Sequence, residues 1–466
     1  MRLRRPFDAD GPGQAAPRYR PAAVGGSAAT GPAPLLPPPA LTASGPRRCA
    51  LVVALSLACF AASAALLIAL HRWTLLDLHV YRWGGLLARR SGDLYNGQFW
   101  DPLGFHLRFT YPPIAALIFA LLSPVPPALL DGLVTAASLA ALLGTLWLTW
   151  GKLGYRRSAG RLAATLAATG VALWLQPVQQ TLNYGQINLI LMLVVVADLT
   201  QPEASRARGI GVGLAAGFKL TPLIFIPYLL LTRRFRAAAV ALVTFALTIA
   251  VSFAVLPAQS DRYWLSGLFM DSRRAGSNAG VSNQSLNGAL ARLLDSLSAS
   301  HPYWIAAAVL TGAVGLMLAA RAARRGHEML GIVTCAITGL LVSPISWAHH
   351  WVWIAPALVV AADLAVRAGA ATPRWRLAAW AGVAALATPF FFLPQRLVPW
   401  PTISDIRAHP APLVAGNLYV ITAIAVLGVV GVLVLPRSGQ VRGRGDHDHP
   451  RSVDGRDRAW WHARVQ

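Results

Sequence analysis

Asp77 lies in Leu76-Asp77-Leu78-His79-Val80-Tyr81, just after the first apolar stretch, Cys49 to Leu70. Ionising a carboxylate beside apolar surroundings is costly. A carboxylate within hydrogen-bond reach of a hydroxyl is also a general base. Asp77 is therefore the candidate reactive group, against the plainer reading of a helix cap or an ion pair with Arg72 or Arg82. His79, Tyr81 and Arg82 beside it, and Tyr111 in Phe109-Thr110-Tyr111-Pro112-Pro113, are candidate substrate contacts at the same membrane face.

Four more polar groups interrupt apolar sequence. Gln186 and Asn188, in Tyr184-Gly185-Gln186-Ile187-Asn188, need partners, either a neighbouring helix or sugar hydroxyls. Lys219, in Gly217-Phe218-Lys219-Leu220-Thr221-Pro222, has apolar sequence on both sides. An ammonium there calls for an anion, and a phosphate fits as well as an internal ion pair. Ser282-Asn283-Gln284-Ser285-Leu286-Asn287-Gly288 offers the paired donors and acceptors that sugars use, with Asn283, Gln284 and Asn287 as the contacts. Helix capping is the alternative, and Asn283-Gln284-Ser285 also fits a glycosylation sequon. In Ser343-Pro344-Ile345-Ser346-Trp347-Ala348-His349-His350 the two histidines suit a phosphate or a proton. Adjacent helical residues diverge by about 100°, so His349 and His350 are not expected to share a metal ion. No metal or cofactor is expected.

The elements that position these groups follow from composition. Only 13% of the 466 residues are charged and 55% are hydrophobic, with mean hydropathy +0.51. A soluble protein carries about 25% charged residues. Apolar runs long enough to span a bilayer recur from residue 49 to 436 without the alternation of a barrel. The fold class is an all-α polytopic membrane protein. The net charge of +23 sits largely beside apolar runs, which suits cytoplasmic anchoring and anionic membrane lipids and argues against nucleic acid. Cys49, Cys59 and Cys335 all fall in apolar runs and form neither a disulfide framework nor zinc spacing.

Residues 1–48 read as a disordered cytoplasmic tail, 49–436 as the membrane domain, and 437–466 as a basic cytoplasmic tail. After the first run come segments 112–124, 128–150, 162–178, 186–200, 209–231, 235–256, 303–321, 328–347, 351–366, 375–394 and 412–436. If all cross, the clusters at 152–157 and 206–208 fall outside, against the positive-inside rule. If 112–124 and 209–231 dip in without crossing, every basic cluster lies inside. Ten to twelve transmembrane helices result, with both termini cytoplasmic and two long extracytoplasmic loops, 71–110 and 257–301. Leu75, Leu78, Trp83, Leu86 and Leu87 predict an amphipathic helix at the interface in the first loop.

The order of these motifs resembles the GT87 polyprenyl-phosphate-mannose-dependent α-(1→2) mannosyltransferases of actinobacteria. The likeness runs from about residue 74 to 360, through the acid-bearing loop, Tyr-Pro-Pro, Gly-Gln-x-Asn, Lys-x-x-Pro with a downstream Arg-Arg, Asn-Gln-Ser-Leu-Asn-Gly and Ser-Pro-x-Ser-Trp-x-His-His. It implies a GT-C-like architecture in the plasma membrane, with an extracytoplasmic active site. It also implies a polyprenyl-phosphate-mannose donor, a lipid-linked glycan acceptor, Asp77 as base, and a role for His349-His350 beside the donor phosphate. Two alternatives remain on sequence: another polyprenyl-phosphate sugar, such as arabinofuranose, or a lipid-linked sugar transporter. The second is disfavoured because the polar groups gather at one face instead of the midplane.

Overall fold

The computed structural model describes residues 46–70, 73–90, 92–100, 106–294, 296–368, 373–392, 398 and 409–435. Of the expected tails, 1–48 and 437–466, the first lies outside these except for residues 46–48 and the second lies wholly outside. The regular structure of the described residues is helical apart from one two-residue ladder, in which Phe99 pairs with Leu107 and Trp100 with His106, and one isolated antiparallel bridge between Asn283 and Trp347.

Helix α1 (Pro46–Leu70) starts three residues before the expected boundary at 49. It is followed by α2 (Leu76–Arg89), α3 (Pro113–Leu122), α4 (Pro127–Lys152), α5 (Ala159–Ala172), α6 (Gln176–Tyr184) and α7 (Asn188–Leu199). Next come α8 (Ile210–Phe218), a 3-10 turn (Thr221–Ile224), α9 (Phe225–Leu231), α10 (Phe235–Val255) and α11 (Pro257–Ser260). The chain continues through α12 (Leu286–Leu294), α13 (Leu297–Arg324), α14 (Glu328–Val342), a 3-10 segment (Ala348–Trp353), α15 (Ile354–Ala368) and α16 (Pro373–Phe391). It closes with α17 (Pro410–Gly416) and α18 (Leu418–Val434).

By length and composition five helices can cross a bilayer: Arg47–Leu70, Pro127–Lys152, Phe235–Val255, Ala299–Arg324 and Ala348–Ala368. Two bent pairs, α6 with α7 at 115° and α17 with α18 at 69°, raise this to seven. The protein is a multi-pass membrane protein. The other apolar runs are short or broken. Pro113–Leu122 packs along α2, and the run 162–178 divides where Pro177 starts α6. Leu51, Leu55, Leu66, Val243, Leu247 and Val309 face outward, as suits a hydrocarbon solvent.

Residues 209–231 do not run straight through. At Lys219 the helix gives way to an extended residue before Pro222, which lacks the donor to continue a helix. Both ends of the segment then meet one carboxylate. Arg208 Nη2 stands 3.7 Å from Glu328 Oε1, and Arg234 closes a two-pronged pair on Glu328. Tyr228 donates to the same carboxylate at 3.1 Å. Asp198 caps the start of α8, accepting from Gly209 N at 2.9 Å and Val212 N at 3.1 Å. The segment enters the bundle and returns to the end where it began. Two other helix ends, far apart in sequence, also meet: Arg367 donates to Asp363 at 2.8 Å and to the Leu153 carbonyl at 2.8 Å.

The expected amphipathic helix is α2. It buries Leu78, Val80, Tyr81, Gly84 and Gly85, with Leu75, Trp83 and Leu87 packed beside the same core. That core adds Phe109, Phe119, Phe218 and Tyr263, so α2 is clamped by the bundle instead of merely resting on a surface.

Candidate active site

Asp77 occupies the first turn of α2. Leu75 before it takes a left-handed conformation (φ 46°), which costs a non-glycine residue about 1–3 kcal/mol. Leu75 N donates to Asn183 O at 2.7 Å, tying the start of α2 to the end of α6. Gly185 ends α6 with φ 65°, a conformation natural to glycine. A Cβ there would stand 2.6 Å from the Leu78 Cβ. Glycine therefore lets the α6–α7 break lie against α2 and delivers Gln186 to Asp77.

Gln186 Nε2 donates to Asp77 Oδ2 at 2.7 Å. The Tyr81 hydroxyl donates to Gln186 Oε1 at 2.7 Å, and Tyr111 reaches the same oxygen at 3.2 Å. The two hydroxyls lie 2.7 Å apart. Burial pushes the Asp77 carboxyl up to about 6, against the pull of the Gln186 bond and the Lys219 charge. Burial and the Asp77 charge also push the Tyr111 phenol up, so it stays protonated at neutral pH. A carboxyl near 6 is ionised at neutral pH yet basic enough to take a proton.

Lys219 sits at the break between α8 and the 3-10 turn. Its Nζ donates to Asn188 Oδ1 at 2.9 Å, lies 3.0 Å from His350 Nε2, and stands 5.6 Å from the Tyr111 ring centre. Asn188 Nδ2 and Thr181 Oγ1 both donate to the His349 carbonyl, at 3.0 and 2.9 Å. The backbone between the histidines is thus pinned to α6 and α7. His349 Nε2 is buried and makes no hydrogen bond to the described residues.

A cavity of about 870 Å³ is lined by Asp77, Tyr81, Tyr111 and Gln186 and, from other elements, by Lys219, Asn287, His349 and His350. Asn188 lies just behind, in a side pocket of about 50 Å³ shared with Lys219 and His350. The remaining candidates do not line the cavity. His79 turns toward α4, with Nε2 3.5 Å from Asp131 Oδ1. Arg82 Nε is buried without a hydrogen bond to the described residues.

Asn283 and Gln284 do not meet a ligand space as their composition suggests: both are fully buried and bonded to the protein itself. Asn283 Nδ2 donates to Asn278 O and Pro344 O, while its Oδ1 accepts from Ser346 N at 2.9 Å. Gln284 Nε2 donates to Val281 O and Gly416 O, and its Oε1 accepts from Tyr419 N. With Gln284 N bonded to Ser346 O and Ala348 N to Ser282 O, the two loop motifs pin each other. The Asn-Gln-Ser run thereby holds the backbone that leads to the histidines.

The cavity also has lining that the motifs did not single out. Tyr95, Arg108, Asp271, Arg274 and Trp304 belong to it. The signal in the sequence is the cluster Asp271-Ser272-Arg273-Arg274 within the loop 257–301. Nothing in the sequence said it would fold over Tyr95. Among the described residues no group of three or more His, Cys, Asp or Glu side chains is placed to hold a metal ion.

The chain matches Glycosyltransferase family 87 over residues 109–344. It is 36% identical over 360 residues to a polyprenol-phosphate-mannose-dependent alpha-(1-2)-phosphatidylinositol pentamannoside mannosyltransferase of Mycobacterium tuberculosis (strain CDC 1551 / Oshkosh), covering 76% of this chain and 80% of that protein. It is 31% identical over 385 residues to a polyprenol-phosphate-mannose-dependent alpha-(1-2)-phosphatidylinositol mannoside mannosyltransferase of Mycobacterium tuberculosis (strain ATCC 25618 / H37Rv), covering 78% and 86%. A protein of Mycolicibacterium smegmatis with the latter name is 33% identical over 387 residues, covering 78% and 85%. No solved structure matches significantly. With this likeness extending over three quarters of its length, the protein is an enzyme of glycosyl transfer and belongs to glycosyltransferase family 87.

Proposed function

We propose that the protein transfers mannose from polyprenyl-phosphate-mannose to a phosphatidylinositol mannoside or related lipid-linked glycan, forming an α-(1→2) linkage by inversion. The observation that carries this reading is the shared cavity: Asp77, held by Gln186, and Lys219, beside His350, line one space. Asp77 takes the proton of the acceptor hydroxyl. That oxygen bonds to C1 of the β-mannosyl phosphate as the C1–O bond to phosphate breaks on the opposite face. The lipid phosphate leaves with the electron pair, stabilised by Lys219 and the histidines, and the product is α-linked.

The site belongs on the extracytoplasmic side in this reading, with both termini cytoplasmic and ten crossings. The return of 209–231 to its starting end supports the ten-crossing scheme, because it lets the clusters at 206–208 and 233–236 share one side. The names of the relatives support the donor and acceptor classes. The test is transfer of radiolabelled mannose from polyprenyl-phosphate-mannose to a panel of lipid acceptors by purified protein, with polyprenyl-phosphate-arabinofuranose as competing donor. Absence of mannosyl product, with product from the other donor, would overturn the reading.

A further inference from the structure

The cavity holds a second concentration of positive charge that the mechanism above leaves unused. Arg108 and Arg274 both line it. Arg274 Nη2 donates to Tyr95 O at 2.7 Å and reaches Phe109 O at 3.4 Å, and Phe109 is the residue after Arg108. The Arg274 guanidinium also stands 5.9 Å from the Tyr95 ring centre. The neighbouring arginines already have carboxylates: Arg262 pairs with Asp93 at 3.2 Å and Arg273 with Asp271 at 2.8 Å. Among the described residues no carboxylate stands within ion-pair distance of Arg108 or Arg274; Asp271, which lines the same cavity, attracts Arg274 but is engaged by Arg273. Two like charges held together in a partly enclosed space repel, and an anion between them offsets the repulsion. Guanidinium groups present planar donor pairs that match phosphate oxygens.

A chain of side-chain contacts relates this pair to the base. The Tyr95 hydroxyl donates to the Tyr111 carbonyl at 2.9 Å. The Tyr111 hydroxyl in turn meets Gln186, which holds Asp77. Arg274 is therefore linked to the base through two tyrosines and the Gln186 amide, and both arginines line the same cavity as Asp77. The two substrates proposed above each carry a phosphodiester, and the Lys219–His350 pole answers only one of them.

We propose that Arg108 and Arg274 bind the phosphodiester of the lipid acceptor, so that its mannoside head extends along the cavity toward Asp77. This rests on the acceptor class proposed above. The test uses purified full-length protein, labelled polyprenyl-phosphate-mannose, and two acceptors: a phosphatidylinositol mannoside and a phosphate-free alkyl α-mannoside. Loss of a charge-assisted contact in Arg108→Gln should lower kcat/KM for the phosphatidylinositol mannoside, relative to that for the alkyl mannoside, by about tenfold. The KM for the donor should stay within about twofold of wild type. Arg274→Gln should act in the same direction, although losing its bonds to two carbonyls risks the fold, so the exposed Arg108 carries the test by itself. An unchanged acceptor ratio, or a raised donor KM, would overturn the inference. A wild-type enzyme inactive on the phosphatidylinositol mannoside but active on the alkyl mannoside would overturn the acceptor class, and this inference with it.

Discussion

Gln186 Nε2 donates to Asp77 Oδ2 at 2.7 Å, and the opposite end of the same amide accepts from the Tyr81 hydroxyl at 2.7 Å. A tyrosine hydroxyl buried at neutral pH has a proton to give, and an ionised carboxylate only accepts. The amide is therefore locked with its NH₂ toward Asp77. It favours the ionised form of a carboxyl that burial drives the other way.

Replacing Gln186 with Leu removes a bond that lowers the Asp77 pKa. The acid limb of the pH–rate profile, set near 6 in wild type, should then move to higher pH. The rate should fall more at pH 6 than at pH 8. Measurement of kcat/KM from pH 5 to 9 decides it, and a limb that stays put would remove Gln186 from the positioning of Asp77.

Asp77→Asn keeps size and loses basicity, so transfer should drop by about 10²–10⁴-fold. Stability should move the other way. The folded carboxyl titrates above its ordinary value, so the wild-type fold is most favoured where the group is protonated and loses that advantage as pH rises through about 6. The Asn variant should melt higher than wild type at pH 7.5 and equally at pH 4. Full transfer by the variant would end the case for Asp77 as base.

Lys219→Met should lower kcat by about 10²–10³-fold, the usual effect of losing one preorganised donor at a developing charge. Lys219→Arg keeps the charge on a bulkier group and should retain part of the rate. Asn188→Leu should cost less than Lys219→Met, since it removes only one partner of the ammonium. Single-turnover transfer from saturating donor separates these variants, and equal rates for Lys219→Met and wild type would show that the leaving phosphate is stabilised elsewhere.

Glu328→Gln should destabilise the whole bundle. Arg208 is 3% exposed and Arg234 is largely enclosed, so both lose a buried counter-charge. Breaking one partner of such a pair typically costs about 3–5 kcal/mol. Thermal unfolding in detergent should show a clear drop for Glu328→Gln and a smaller one for the exposed Glu203→Gln. Equal melting curves would mean that Glu328 does not latch the returning segment.

Sequence alone determined the membrane class, because long apolar runs and sparse charge admit few other solvents. It also singled out Asp77, Gln186, Lys219 and the histidines, because each is a polar group placed where burial needs a reason. Tertiary structure decided their partners. Gln186 serves Asp77 only because Gly185 permits a sharp break against Leu78, a long-range fit that no local pattern encodes. Asn283 and Gln284 look like sugar ligands by composition, yet the fold uses their amides to join two distant loops. An amide written in the sequence carries its donors and acceptor but not the direction in which they are spent. The same holds for Arg108 and Arg274, ordinary loop arginines until the chain folds over Tyr95 and leaves two positive charges facing one cavity.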